Sequence, residues 1–418
     1  MESVSYYPRI CDKVLSRKLQ LTGATLIVGP KWCGKTETAL QAARSVIYIQ
    51  SDEQYKEAGK LMPALLLEGE TPRLIDEWQE VPELWNAIRH IVDQRKKQGQ
   101  FILTGSARPR DEVKAHSGIG RFSKIQMRPM TLFESKESTG AISLKSLFDG
   151  EQDISAVSSL EIAQLAYVIC RGGWPGAVII EEGGEALVRE YTDMLVESDI
   201  SKLDGIERNP HRIRQVLRSL ARNISTLTTA NTILEDVRAN DLTINERTLD
   251  NYLNAMRRLF VVEDVPAWAP SLRSKTTIRT SFKRQLTDPS LATSVLRVDK
   301  NGLLHDLNTF GFLFESLCTR DIRVYAQSND GEVFHYRDKD QLEIDLIVSL
   351  NDGRWAAIEV KLGEHQADEA AVNLIRLKNK VNTSRIGEPA FLMVLTGGKF
   401  AYKRHDGVMI VPLACLRD

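Results

Sequence analysis

The residues with the clearest chemical potential are those of the segment GPKWCGKT. They match the pattern G-x-x-x-x-G-K-[ST], in which two glycines let backbone N–H groups curl around phosphate oxygens. A lysine after the second glycine neutralises the terminal phosphates of a nucleotide, and the following threonine hydroxyl binds Mg²⁺. The pattern therefore predicts an ATP site with Mg²⁺ as cofactor. The residues predicted to contact the nucleotide are Gly29, Pro30, Lys31, Trp32, Cys33, Gly34, Lys35, Thr36 and Glu37.

Two acids follow at the end of the apolar segment RLIDEW. Asp76 is predicted to hold Mg²⁺ together with Thr36, directly or through water, and Glu77 to orient and deprotonate the attacking water. The next apolar segment, QFILTGS, ends in hydroxyl side chains, so we expect Thr104 or Ser106 to sense the γ-phosphate. The alternatives are an exposed strand end for the acids and ordinary polar positions for the hydroxyls.

An arginine that could complete such a site occurs in the sequence SGIGR. Arg121 is a candidate arginine finger for a neighbouring subunit's γ-phosphate, or a sensor of nucleotide in its own chain. Arg108 is an alternative for this role, and a solvated surface arginine is the simplest interpretation of either. A finger that acts between chains makes a homo-oligomer possible.

A second group of charged residues occurs near the C-terminus, in QLEIDLIVSLNDGRWAAIEVKLG. Its alternation predicts a strand carrying Asp345, a hairpin turn at NDG, and a returning strand with Glu359 and Lys361 on one face. A preceding helix supplies Glu315. Carboxylates suit Mg²⁺ or Mn²⁺, so Glu315, Asp345 and Glu359 are the predicted metal ligands and Lys361 the catalytic residue. The alternative is an ion-pair cluster on an edge strand, with Glu343 solvated on the opposite face.

Basic residues occur in two patterns in the middle of the chain. Arg214, Arg218 and Arg222 are four residues apart and share one face of a helix. This stripe follows a phosphate backbone, meets acids on a neighbouring helix, or is simply a solvated helix face. Downstream, two predicted helices at 228–239 and 245–260 precede a basic segment, an arrangement typical of a winged helix.

In the winged-helix interpretation, the second helix faces the DNA groove and the basic segment follows the phosphates. Winged helices also serve as protein-contact modules, so this interpretation remains open. The predicted groove residues are Arg247, Thr248 and Asn251, and the predicted phosphate contacts are Arg273, Lys275, Arg279, Lys283 and Arg284.

The composition limits the classes of function. The chain has 418 residues, a net charge of −1, and 27% charged residues, which excludes a uniformly basic nucleic-acid binder but allows local basic patches. The sequence predicts neither a secretory signal nor a membrane span. The five scattered cysteines lack metal-ligand spacing and are expected to be free thiols. We expect a cytoplasmic protein.

Several segments together resemble one prokaryotic family of AAA-type ATP-binding proteins that carry a C-terminal domain of unknown function. These segments are GPKWCGKT, LIDEWQ, FILTGSAR, SGIGR and MRPMTLFE, with YYPRICDKVL at the start and GGWP in the middle. The resemblance implies ATP as ligand and the AAA strand order. Lys31 departs from the family's usual arginine, and Trp32 and Cys33 replace smaller residues. The C-terminal acid–lysine pattern is similar to the PD-(D/E)xK nuclease superfamily, in which two acids hold a divalent metal and the lysine assists the attacking water.

The expected fold class is α/β, because apolar strands alternate with helices and imply a parallel sheet covered on both faces. We expect an AAA-type P-loop domain at 1–134, a linker at 135–159, a helical region at 160–225, a winged-helix domain at 226–298 and a PD-(D/E)xK-like α/β domain at 299–418. The predicted function is a Mg²⁺-dependent ATPase coupled to a module acting on nucleic acid, with DNA more expected than RNA. The alternatives are a non-catalytic, ATP-regulated adaptor that binds DNA or a protein, and a protein-directed signalling ATPase.

Overall fold

The computed structural model describes residues 6–107, 118–180, 182–270, 282–381 and 383–418. The chain divides into two compact units. Unit 1 comprises Met1–Arg128 with Arg258–Phe260, and unit 2 comprises Pro129–Arg257 with Val261–Asp418. The first boundary lies within a few residues of the predicted end at 134. Within the described ranges, none of the helices has both the length and the hydropathy required to cross a bilayer.

Unit 1 is a five-stranded parallel sheet with helices. Its strands are β1 Ala24–Val28, β2 Ser45–Tyr48, β3 Arg73–Asp76, β4 Phe101–Gly105 and β5 Phe122–Gln126. Its helices are α1 Ile10–Leu19, α2 Lys35–Leu40, α3 Glu53–Leu61, α4 Pro63–Leu66 and α5 Leu84–Arg95. The strand order is β2-β3-β4-β1-β5, so β1 lies between β4 and β5. The predicted parallel sheet is thereby confirmed.

The sheet of unit 1 is held by apolar side chains on both of its faces. Every residue of β1 and β4 is buried, as expected for central strands of a parallel sheet. The predicted apolar stripe of α5 packs on the sheet through Leu84, Trp85, Ile88 and Val92. Because β1, β3 and β4 pair in parallel, their carboxyl ends lie at the same end of the sheet, where the predicted polar residues follow.

Unit 2 begins with short elements and a group of helices. They are β6 Ile142–Ser143, α6 Leu144–Phe148, β7 Ala156–Val157, α7 Ile162–Arg171, α8 Pro175–Val178, α9 Gly184–Met194, α10 Pro210–Arg222, α11 Ala230–Arg238, α12 Glu246–Arg258, α13 Pro289–Leu296 and α14 Lys300–His305. A π-helical turn, Leu195–Ile200, extends α9. Helix α13 packs on both α9 and α10, and the π-helical turn also packs on α10.

The C-terminal part of unit 2 is a mixed sheet with a long helix. Its elements are α15 Leu307–Ser328, β8 Gly331–Arg337, β9 Glu343–Leu350, β10 Trp355–Lys361, α16 Ala367–Lys380, α17 Thr383–Ile386, β11 Leu392–Thr396, β12 Phe400–Lys403, β13 Met409–Pro412 and β14 Leu416–Arg417. The strand order is β7-β12-β13-β11-β10-β9-β8. The hairpin β9–β10 is antiparallel and β10 pairs with β11 in parallel. Helix α15 packs on β8, β9 and β10, and α16 on β9, β10 and β11.

The predicted linker at 135–159 is instead a folded part of unit 2. Its strand β6 pairs with β14, and β7 pairs with β12 at the edge of the large sheet. The segment looked like a linker because its strands have two residues each, too few to show an apolar period. Backbone pairing with strands far along the chain gives them their structure.

The two helices predicted for a winged helix are present as α11 and α12. Antiparallel bridges then join Val262 to Leu286 and Val265 to Lys283. The basic positions Arg273, Lys275 and Arg279 lie outside the described residues. The winged helix as a whole therefore stays a prediction.

Candidate functional site

The phosphate loop connects the end of β1 to the start of α2. Gly34 has φ 94°, a conformation that favours glycine. A Cβ on Gly29 would lie 2.2 Å from the carbonyl oxygen of Met127, so the loop runs too close to its neighbour for any side chain there. The ammonium of Lys35 is buried and donates a hydrogen bond to the carbonyl of Pro30 at 2.8 Å. Lys35 thus lies within the curve of the loop, as its predicted role requires.

Two hydroxyls converge on the carboxylate of Asp76. Thr36 Oγ1 donates to Asp76 Oδ1 at 2.7 Å, and Thr104 Oγ1 donates to the same oxygen at 2.6 Å. They meet because β1, β3 and β4 are adjacent and parallel, and the three residues follow or end those strands. Hydroxyl and carboxylate oxygens are ligands that Mg²⁺ accepts. The residues present therefore fit a magnesium ion shared with a nucleotide.

Glu77 is held beside this group by a turn in the backbone. Its φ is 54°, because the chain leaves β3 and enters a 3-10 turn at Trp78–Glu80. The indole of Trp78 is fully buried, and its ring centroid lies 5.2 Å from that of Trp85 in a tilted arrangement, which holds the turn in place. Ser106 Oγ donates to Glu77 Oε2 at 2.9 Å, and Gln79 Nε2 donates to the same oxygen. Both predicted phosphate sensors thus contact the acid pair, Thr104 through Asp76 and Ser106 through Glu77.

The side chains of the phosphate loop differ in their exposure. Lys31 and Glu37 are exposed and Trp32 is half-buried, with φ 67°. Cys33 is completely buried, and burial raises the pKa of its thiol although Lys35 and Arg9 oppose that effect. Its side chain therefore faces the protein interior, which restricts its predicted nucleotide contact to the backbone.

Arg9 supports the phosphate loop, although it belongs to none of the motifs that predicted site residues. Its guanidinium donates from Nη1 to the carbonyl of Cys33 and from Nη2 to the carbonyl of Arg128, both at 2.8 Å. The side chain is 6% exposed. Arg9 therefore ties the loop to the segment that follows β5. In the sequence its only signal is its place in the opening YYPRI.

We expect Arg9→Met to weaken ATP binding by about tenfold, because a charge-assisted hydrogen bond contributes about 1.5–3 kcal/mol and its loss frees the loop. Calorimetric titration with ATP measures this change. Lys13→Met, at an exposed position on the same helix, is the matched control. Equal ATP affinities for wild type and Arg9→Met would exclude a positioning role.

Arg121 lies at the amino-terminal ends of the strands, whereas the phosphate loop lies at their carboxyl ends. It immediately precedes β5, and Ala24, the first residue of β1, is paired with Phe122. The phosphate loop follows the other end of β1, so five residues, or about 16 Å, separate the two edges. Its guanidinium pairs with Asp93 at 2.9 Å. This position contradicts the sensor role within its own chain. The exposed pair with Asp93 corresponds to the surface-arginine interpretation, and the finger between chains stays a prediction. Arg108 lies outside the described residues.

The C-terminal acids are brought together as predicted, but around a lysine. The ammonium of Lys283 lies 2.6 Å from Glu315 Oε1, 2.8 Å from Asp345 Oδ1 and 3.6 Å from Glu343 Oε1. On the other side, Lys361 lies 3.0 Å from Glu359 and 3.9 Å from Asp345. The backbone N–H of Val360 donates to Asp345 at 2.9 Å. These residues form the carboxylate–lysine cluster.

Three expectations about this region are corrected. Lys283 and Arg284, predicted to follow DNA phosphates, are 1% and 6% exposed. Arg284 pairs with Asp264 at 2.8 Å, and Lys283 belongs to the carboxylate–lysine cluster. Glu343, expected on the strand face opposite Asp345, instead lies 3.6 Å from the same Lys283 ammonium, although 38% of its side chain is exposed to solvent. Helical and strand periods cannot reveal such contacts, because they form between segments distant in sequence.

The cluster does not fit the predicted metal centre. In the part of the chain that the structure describes, no group of three or more His, Cys, Asp or Glu side chains is arranged to hold a metal ion. The position between Glu315 and Asp345 that a divalent ion would need is taken by the ammonium of Lys283. The arrangement corresponds to the alternative interpretation, an ion-pair cluster.

The charges in the cluster perturb one another. Burial raises the pKa of Glu315 to about 8, with Asp345 adding to the effect and Lys283 opposing it. Burial and Asp345 also raise the pKa of Glu359. Burial tends to raise the pKa of Asp345, but Lys283 and Lys361 hold it well below its usual value. Asp345 is therefore the ionised partner of the two lysines.

The phosphate loop, the paired acids and the adjacent hydroxyls on one parallel sheet define the P-loop class of nucleotide-binding domains. Residues 22–136 match the family model described as an AAA domain. Residues 162–302 and 310–416 match two models described as domains of unknown function, DUF8612 and DUF4143. Unit 1 therefore has an AAA-type domain.

Two curated relatives are uncharacterized proteins of Mycobacterium bovis and Mycobacterium tuberculosis. Each is 25% identical over 354 residues, covering 83% of this chain and 72% of the relative. Among solved structures, the Walker-type ATPase PABY2304 of Pyrococcus abyssi is 15% identical, with TM-score 0.42 over 69% of this chain and 94% of that chain. RuvB of Thermotoga maritima is 20% identical, with TM-score 0.27 over 61% and 88%.

Proposed function

We propose that the chain is a Mg²⁺-dependent ATPase whose nucleotide state controls a nucleic-acid-binding module in unit 2. The observation that carries the proposal is the convergence of Thr36 and Thr104 on Asp76, with Glu77 next to them, at the mouth of the phosphate loop. A structural ion pair or helix cap would not require a hydroxyl from α2 and a hydroxyl from β4 to meet the acid at the end of β3 beside a glycine-bounded loop.

Each residue then has a defined task. Lys35 neutralises the β- and γ-phosphates, while the loop amides and the N-terminus of α2 bind phosphate oxygens. Thr36 and Asp76 would hold Mg²⁺, which when bound would supply positive charge beside the phosphates. Glu77 accepts the proton of the attacking water. Thr104 and Ser106 sense the γ-phosphate, since each donates a hydrogen bond to one acid of the pair. Arg121 serves a neighbouring subunit if the protein assembles.

The test is ATP turnover by the purified chain with and without Mg²⁺, duplex DNA or RNA. We expect Mg²⁺-dependent release of inorganic phosphate. Lys35→Ala removes the cation that faces the phosphates and should weaken ATP binding by at least about tenfold, because it removes a charge-assisted contact. Absence of any heat when the wild-type chain is titrated with ATP would reject the proposal.

A second proposal concerns unit 2, and the carboxylate–lysine cluster favours it over cleavage. Because Lys283 supplies the positive charge that a metal ion would supply, we infer that the nuclease-like region does not cut the client that unit 2 binds. This agrees with the inactive nuclease-like fold of the adaptor alternative, with DNA as the favoured client of unit 2. The predicted roles of Glu315, Asp345, Glu359 and Lys361 in metal-dependent cleavage are accordingly replaced by a role in stabilising the domain.

The adaptor proposal predicts that millimolar Mn²⁺, without nucleotide, leaves the thermal midpoint of the wild-type chain unchanged. Asp345→Asn is the control, because it removes an acid that any bound ion would need. If Mn²⁺ raised the midpoint in wild type but not in Asp345→Asn, or if it promoted DNA cleavage that Asp345→Asn abolished, the cluster would be a metal site after all.

A further inference from the structure

Unit 2 contains a large open cleft that neither proposed site uses. It is formed by α9, α10, α11 and the end of α13, and its volume is about 1320 Å³. Pockets for small molecules are commonly about 300–1,000 Å³. The cleft is therefore large for a single nucleotide or metabolite and has room for a segment of a polymer.

Arginines dominate the positive charge of this cleft. Its lining includes Arg189 on α9, Arg214, Arg218 and Arg222 on α10, and Arg297 after α13. Arg214 pairs with Asp193 at 2.6 Å. Within the described ranges, none of the other four has a carboxylate oxygen within 4.0 Å. The guanidinium N–H groups of these four arginines are therefore available to donate hydrogen bonds to a ligand in the cleft.

The acids in the cleft are mostly engaged within the protein. Asp193 holds Arg214, Asp236 accepts a hydrogen bond from Ser219 Oγ at 2.8 Å, and Asp299 accepts from the backbone N–H of Gly302 at 2.8 Å. Glu190 completes the acidic lining. Hydrogen bonds from neutral donors leave these carboxylates charged, so the five arginines of the lining exceed its four acids by one charge. The free hydrogen-bond donors of the cleft are predominantly guanidinium groups, which bind phosphate in a bidentate manner.

The spacing of the arginines on α10 defines what they fit. Arg218 and Arg222 are four residues apart, which corresponds to about 6 Å along the helix axis. That distance is comparable to the separation of neighbouring phosphates along a nucleic-acid strand. No Phe, Tyr or Trp is among the lining residues described, and proteins that bind single strands usually stack the bases on such side chains.

We propose that this cleft binds the sugar–phosphate backbone of duplex DNA, with Arg218 and Arg222 on consecutive phosphates and Arg189 and Arg297 on the flanking ones. The inference rests on the proposed function, in which unit 2 is the nucleic-acid-binding module, and adds the place of binding. Because the contacts go to phosphates, binding is independent of base sequence and strongly dependent on salt. The duplex thus meets the arginine stripe, rather than the buried Lys283 and Arg284.

The experiment compares two double variants of the full chain. Arg218→Ala with Arg222→Ala removes two proposed phosphate contacts, and Arg376→Ala with Arg385→Ala removes the same charge from exposed positions on α16 and α17. Fluorescence anisotropy with a labelled 20-bp duplex, at several salt concentrations and without nucleotide, measures affinity and its salt slope. We expect the first variant to bind at least about tenfold more weakly, with the slope reduced by about one per arginine, and the second to bind like wild type.

A double lysine variant tests the positive charge of the two side chains separately from the shape of the guanidinium group. Arg218→Lys with Arg222→Lys keeps the charge and loses the guanidinium fork, so we expect the salt slope of wild type with reduced affinity. Thermal unfolding of each variant checks that it is folded. Equal loss in the two alanine variants, no binding of the duplex by wild type at low salt, or equal competition by poly-glutamate would overturn the proposal; the last would indicate an acidic protein as the partner.

ATP turnover without DNA is measured on the same samples. The arginines do not belong to the phosphate loop or the acid pair, so all the variants should hydrolyse ATP like wild type. A wild-type chain that binds DNA through the arginines but does not hydrolyse ATP would reject the ATPase and retain the cleft. A chain that hydrolyses ATP but shows no arginine-dependent binding would reject the cleft alone.

Discussion

Glu77→Gln should slow ATP turnover by about 10²–10⁴ and leave ATP binding nearly unchanged, because the amide cannot accept the proton of the attacking water. Glutamine has the size of glutamate and can still accept a hydrogen bond from Ser106, so the turn between β3 and Trp78 is retained. The expected result is a variant that binds ATP and holds it. Single-turnover phosphate release and calorimetric ATP titration measure the two quantities.

The neighbouring acid provides the matched control. Asp76→Asn keeps Glu77 but removes a charge from the oxygens that Thr36 and Thr104 contact, so it should weaken Mg²⁺-dependent ATP binding. The two variants therefore fail at different steps. If Glu77→Gln turned over ATP at the wild-type rate, Glu77 would be a structural residue of the turn and the base would have to be sought elsewhere.

Lys283→Met should destabilise the chain by about 3–5 kcal/mol, the usual cost of leaving buried acids without their counter-charge. Methionine keeps the apolar stem and removes the ammonium that lies between Glu315 and Asp345. Thermal unfolding measures the effect. The control is Lys378→Met, which removes an exposed lysine 3.2 Å from Glu388. Such a surface ion pair contributes only about 0–1 kcal/mol to the free energy of unfolding.

A second substitution tests whether charge causes the loss. Adding Asp345→Asn to Lys283→Met removes one of the uncompensated carboxylates and should recover part of the stability, a non-additive result expected of contacting residues. If Lys283→Met unfolded at the wild-type temperature, the ammonium would not be holding the cluster together, and the adaptor proposal would lose its physical basis.

The cluster also predicts a pH dependence. The pKa of Glu315 is raised from 4.5 to about 8. An acid with a higher pKa in the folded protein stabilises the fold fully below its unfolded pKa, and this contribution is lost as the pH rises through about 8. Glu315 therefore lowers the free energy of unfolding between pH 4.5 and 8, and Glu315→Gln, which is always neutral, should flatten that part of the profile.

The nucleotide site was predictable because its signals are local in sequence. A glycine-bounded loop after an apolar segment, and acids or hydroxyls at the ends of two more apolar segments, already implied that these residues meet, since parallel strands end at one edge of a sheet. The structure also shows residues that support the nucleotide site but belong to no sequence motif. Arg9 acts through hydrogen bonds to two segments distant in sequence, and Gln79 through one contact within the turn that carries Glu77.

The basic residues show the opposite case. Lys283 and Arg284 belong to a segment that is basic throughout, which predicted an exposed surface. Both are nevertheless buried, Lys283 against acids of β9 and α15 and Arg284 against Asp264, which follows α12. Arg218 and Arg222 have a spacing equally typical of a solvated helix face. Only the packing of α9, α10 and α13 places them along a cleft.

The sequence by itself determined the α/β class, the nucleotide-binding loop and the residues around it, because strand periods and short motifs depend on neighbours within a few positions. The tertiary structure decided which charges are neutralised, since that depends on segments brought together from opposite ends of a unit. It placed a lysine where a metal ion was expected, moved Arg121 away from its own chain's phosphate edge, and made residues 135–159 part of a sheet. Charge type can be read from the chain, whereas the partner of each charge is set by the fold.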